Sequence, residues 1–150
     1  MIVYKRLAYD ERTQARTSAF VNFTRYQTIY TPHAWNKPNV EDSIGLMVFR
    51  TYNQALSFPY GDEIWECYIK DTPERAFYIP RIHSILVEQE KRMFSPFVSL
   101  LKGDYYLNMR HEDFEQNRRM LAMAPEGTLL VPKLFLTRRI DHEFECYARL

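Results

Sequence analysis

Between Ser43 and Asp71 the hydrophobic and polar positions lay out a unit around which the rest of the chain can be ordered. Ile44 to Arg50 is nearly all apolar with no clean alternation, which fits a strand covered on both faces; a short buried helix fits the same run. Thr51 and, three residues on, Gln54 form the two halves of a capping box, so a helix is predicted to begin there. Ala55, Leu56 and Phe58 give that helix an apolar side, Pro59 ends it, and Pro59–Asp62 reads as a turn. The next stretch alternates cleanly, with Trp65, Cys67 and Ile69 on one side and Glu66, Tyr68 and Lys70 on the other. That period predicts a strand with one face buried and the other turned to water or a partner.

Ile2 to Ala8 predicts a first strand, and Arg25 to Thr31 has β composition, while Thr13 to Thr24 carries no decisive period. Thr31 to Ser43 reads as a long loop with two prolines and Trp35 at its middle. Connections of that length are often functional. Trp35 either staples the loop to the core or serves as an anchor for a partner. Ala76 to Arg81 fits an edge strand, because Pro80 cannot donate to a neighbour. Ile82 to Phe94 mixes strand and helix signals, and Ser95-Pro96 opens a short helix closed by Gly103. His111 to Met123 is the strongest helical pattern, with Glu115 and Arg119 at favourable i, i+4 spacing. Ala124–Gly127 breaks it. Thr128–Val131 and Leu134–Ile140 read as strands around Pro132, and Glu143 to Leu150 ends the chain as another. The fold expected is α+β in a single domain: a mainly antiparallel sheet of five to seven strands with two or three helices.

Trp65-Glu-Cys-Tyr-Ile-Lys70 is echoed by Phe144-Glu-Cys-Tyr-Ala-Arg149. Duplication of a strand unit and chance resemblance both account for the echo. If the two strands pair antiparallel with Tyr68 opposite Tyr147, Glu66 meets Arg149 and Lys70 meets Glu145. That register sets Cys67 and Cys146 on different rungs and predicts two buried, reduced thiols.

Composition changes this picture in one respect. Net charge is +1, which points to no polyanion or membrane surface. No run approaches the ~20 apolar residues needed to span a bilayer. Two cysteines without an export signal favour the cytoplasm. The aromatic content is high, with 11 Tyr, 10 Phe and 2 Trp. An aromatic-rich β core explains that, as does a contact surface, where Tyr and Trp concentrate.

The histidines at 33, 83, 111 and 142 have no metal-binding spacing, glycine is too scarce for a phosphate-cradling loop, and no nucleophile motif is present. Arg118-Arg119 and Arg138-Arg139 lie near aromatics but are flanked by acids, which disfavours nucleic acid. One likeness remains. A strand opening on Gly45-Leu46, a helix with inward Ala55 and an alternating strand resembles part of the core of ADP-ribosyltransferases. The resemblance implies a nucleotide-handling enzyme using a nicotinamide cofactor, with Arg6 on the first strand and Glu143-Phe-Glu145 as the late acidic motif. The family's middle Ser-Thr-Ser has no counterpart in Ile44–Arg50. The leading expectation is a small non-enzymatic protein without a cofactor or metal. It binds a protein partner, or a second copy of itself, through an aromatic-rich surface that includes Trp35, Glu66, Tyr68, Tyr147 and Arg149.

Overall fold

A computed structural model describes residues 1–19, 27–39, 45–80, 111–116 and 121–141. Its centre is the unit anticipated above. Strand β1 (Ile2–Asp10) lies between β5 (Leu46–Phe49) and β6 (Glu63–Tyr68), antiparallel to both. β5 and β6 therefore run the same way. Helix α1 (Tyr52–Ser57) joins them across the β1 strand between.

Both halves of the capping box form. The Thr51 hydroxyl accepts from the Gln54 amide and the Gln54 side chain accepts from the Thr51 amide, each at 3.2 Å. At the other end the carbonyls that a helix leaves unpaired need donors. The Arg6 guanidinium on β1 supplies them, bonding Ala55 O at 3.1 Å and Leu56 O at 3.2 Å, with a further bond to Gly61 O.

The remaining strands extend the sheet on both sides. The order is β4 (Trp35–Asn36), β11 (Leu134–Arg139), β6, β1, β5, β10 (Thr128–Val131) and β7 (Glu74–Arg75). β2 (Ala15–Ser18) and β3 (Ile29–Tyr30) branch from β1, giving nine strands in which every pairing is antiparallel. The branch arises because β1 pairs with β5 at Tyr4 alone, and β2 takes the same edge from Leu7 to Asp10. A separate ribbon pairs β8 (Tyr78–Pro80) with β9 (Leu121–Met123).

This is a mainly-β fold, and the α+β expectation is corrected by it. The described helices, α1 and α2 (His111–Gln116), have six residues each. The helical pattern from His111 to Met123 stops short because Leu121–Met123 pairs with Tyr78–Pro80 and buries Leu121 completely. Tertiary pairing there outweighs helix propensity. The count of five to seven strands fell low because β2, β4 and β7 are too short to show a period, while β3 falls within the Arg25–Thr31 stretch of β composition. The segment at Ser95–Gly103 lies outside the described residues.

The pairing of β6 with the C-terminal strand is also overturned. Both edges of β6 are taken over Trp65–Tyr68, one by β1 and the other by β11. Residues 142–150 themselves lie outside the described residues.

The sheet has two unequal faces. Val3, Leu7, Leu46, Val48, Trp65, Cys67, Leu134 and Leu136 point to one side and form the larger core with Tyr30. On the other side α1 covers Phe49, Ile64 and Ile140 with Ala55 and Phe58, and Tyr4 and Tyr52 pack against them. That cover reaches only part of the second face.

Candidate functional site

Beyond the cover of α1, the second face carries a row of apolar side chains on one cross-strand level, three of them exposed and Phe135 half-buried. Ile2 of β1 pairs with Tyr68 of β6, Tyr68 with Phe135 of β11, and Phe135 with Trp35 of β4. Ile2 is 52% exposed, Tyr68 44% and Trp35 41%. Residues directly opposite across antiparallel strands stand close enough for their side chains to touch. The Trp35 ring centre is 5.7 Å from that of Phe135 and 6.3 Å from that of Tyr68, both edge to face. One level along, the Tyr4, Glu66 and Arg138 rung separates this patch from the helix-covered half.

Trp35 is fixed from below. Asn36 is buried, and its side chain accepts from Thr31 N at 2.8 Å and donates to Thr31 O at 3.1 Å and Ala34 O at 2.9 Å. His33 turns the chain with φ of 58°, a left-handed conformation unusual for a residue with a side chain. Backbone bonds from His33 N to Leu136 O (2.8 Å) and from Leu136 N to Ala34 O (3.2 Å) then tie the turn to β11. What the sequence presents as a long loop thus contains the edge strand β4. An aromatic ring held by buried hydrogen bonds loses little freedom when it meets a partner.

Cations ring the patch. Lys70 Nζ lies 4.8 Å and Lys133 Nζ 5.5 Å from the Trp35 ring centre. The arginines nearby are committed elsewhere, and a β-bulge accounts for two of them. Register shifts between Leu136 and Arg138, so the consecutive Arg138 and Arg139 face Glu66 and Trp65. Arg138 bonds Glu66 at 3.1 Å on the exposed face. Arg139 passes to the other side, where it meets the buried Glu63 carboxylate at 3.3 Å and forks onto Asp141 at 2.7 and 2.9 Å. Glu63 also accepts from Arg16 and from the Trp65 indole, each at 2.8 Å. The Arg139 fork, outweighing the effect of its partial burial, holds the Asp141 carboxyl below the usual carboxylate range.

Of the residues singled out from sequence, Trp35, Glu66 and Tyr68 come together on this face. Tyr147, Arg149, Glu143 and Glu145 lie outside the described residues. Arg6 sits under α1 with its guanidinium bonded to the three carbonyls named above. Sequence reasoning missed Ile2, Phe135 and Lys133. The signal for Phe135 was available, since a phenylalanine between Leu134 and Leu136 on a strand must face away from them.

Among the described residues, the larger core holds one buried cation. Lys5 Nζ donates to Met47 O at 2.7 Å, where β5 has left β1, and lies 5.4 Å from the Tyr30 ring centre. Burial lowers its ammonium to about 8. Cys67, on the same face, is a free buried thiol that desolvation pushes up to about 12. A thiol so disfavoured as thiolate is unreactive. Among the described residues no group of three His, Cys, Asp or Glu converges, and no helix is long and apolar enough to cross a membrane.

No protein-family model, curated protein or solved structure matches the chain.

Proposed function

We propose that this protein works by binding another protein through the face built from Ile2, Tyr68, Phe135 and Trp35. One observation carries the reading: α1 covers only part of the second sheet face, and beyond it Ile2, Tyr68 and Trp35 stand exposed in a single row with the half-buried Phe135 among them. Contiguous exposed apolar surface with a polar rim marks interaction sites. Aromatic anchors held in a fixed geometry are the residues that dominate such interfaces. A reducing compartment such as the cytoplasm suits the free Cys67 thiol.

Site-specific photo-crosslinking tests the proposal. Benzoylphenylalanine at Tyr68 should capture a discrete protein from extract of the native cells, and Trp35→Ala in the same chain should abolish capture. The same crosslinker at exposed Glu11 is the control. Equal capture from both positions, or capture indifferent to Trp35→Ala, contradicts the proposal.

A further inference from the structure

We infer that the partner presents an acidic segment to this face, with carboxylates on either side of an apolar side chain; the inference rests on the protein-binding reading above. Lys70 and Lys133 both approach the Trp35 ring, so two positive charges gather at one aromatic anchor. Among the described residues neither ammonium meets a carboxylate, whereas Arg16, Arg138 and Arg139 of the same sheet all do. A lysine over a ring still has donors to offer, since an ammonium carries three. An apolar side chain set among Trp35, Phe135 and Tyr68 would bring flanking carboxylates within reach of both. In an extended segment, residues that share a face are ~7 Å apart, so carboxylates two positions before and two positions after the apolar side chain meet the same surface as it does.

Two other occupants fit less well. A single-stranded nucleic acid needs open ring faces for base stacking and a continuous positive track. Trp35 instead meets Phe135 and Tyr68 edge to face with ammonium groups over its ring, and Glu66 stands one rung away. A second copy docking by twofold symmetry would set this patch against itself and bring four lysines together. Like charges juxtaposed at an interface oppose association.

The test is selection of random dodecapeptides displayed on phage against the whole protein, with counter-selection on Trp35→Ala. The expected outcome is enrichment of peptides that carry Asp or Glu on both sides of an apolar residue. Their affinity should fall about tenfold for the Lys70→Gln, Lys133→Gln double variant and survive Lys70→Arg, Lys133→Arg. Both lysines are exposed, so neither pair of substitutions threatens the fold. Trp35-dependent peptides that are neutral or basic overturn this inference and leave the protein-binding reading standing. Absence of any Trp35-dependent peptide overturns both. A parallel selection from random single-stranded DNA that yields tighter, Trp35- and lysine-dependent ligands also overturns it.

Discussion

Trp35 and Tyr68 belong to strands that are not neighbours, yet their rings meet edge to face with centres 6.3 Å apart and planes 62° apart. Phe135 on the intervening β11 pairs with both and completes the row. The relationship follows from placing a two-residue strand at the sheet edge in register with β11.

Trp35→Ala should cost less stability than deletion of a fully buried tryptophan. A fully buried tryptophan deleted to alanine costs about 3–5 kcal/mol, whereas Trp35 keeps 41% of its surface in water. Urea unfolding should show a loss of roughly 2–3 kcal/mol, in proportion to the burial that is lost. A loss above that range would make Trp35 a core residue and remove the argument for an anchor.

Asn36→Ala should be comparably damaging at this edge, although Asn36 offers a partner far less surface. Its buried amide makes three hydrogen bonds that water cannot replace in place. The expected loss is about 1–3 kcal/mol, with faster amide hydrogen exchange from Thr31 to Asn36. Unchanged exchange there would mean that the clamp does not hold the turn.

Two ion pairs on the same strands should differ sharply in worth. Glu63 is buried and serves Arg16, Arg139 and Trp65, so Glu63→Gln should destabilise by roughly 2–3 kcal/mol. Arg138→Ala breaks the solvent-exposed pair with Glu66, whose loss should cost about 0.5 kcal/mol or less. Equal losses in parallel denaturant titrations would contradict the assignment of the two arginines to opposite faces.

Lys5 and Cys67 together give stability a characteristic dependence on pH. Burial lowers Lys5 from 10.5 to about 8, so between those values the unfolded chain holds a proton that the folded chain has lost, and stability rises with pH. Cys67 has the opposite sign: raised from 9.0 to about 12, it keeps a proton above pH 9 that the unfolded chain releases, and stability falls. The expected profile gains about 1 kcal/mol between pH 8 and 9 and then levels off. Lys5→Met should remove the rise, and Cys67→Ala should extend it toward pH 10. A wild-type urea midpoint that falls through pH 8–9 would contradict the burial of Lys5 as an ammonium.

Much of the central unit was legible because its signals are local. The Thr51–Gln54 capping box formed as read, and alternation placed Trp65 and Cys67 inward with Glu66 and Tyr68 outward. Trp35 stood out in the sequence, but its level with Tyr68 depends on β4, and a two-residue strand carries no period. Leu121–Met123 misled for the converse reason: its residues suit a helix, and only the distant Tyr78–Pro80 makes them a strand. The supposed pairing of Tyr68 with Tyr147 failed on topology, since charge complementarity cannot reveal that β1 and β11 already occupy both edges of β6.

Fluorine NMR of protein labelled with 5-fluorotryptophan tests the central claim most directly, because the chain has 2 tryptophans on opposite faces of the sheet. In the free protein the Trp35 signal should shift between H2O and D2O and the buried Trp65 signal should not. Adding the partner captured at Tyr68 should move the Trp35 resonance and remove its solvent shift while Trp65 stays in place. A partner that moves Trp65 alone, or leaves the solvent shift of Trp35 intact, would contradict binding through this face.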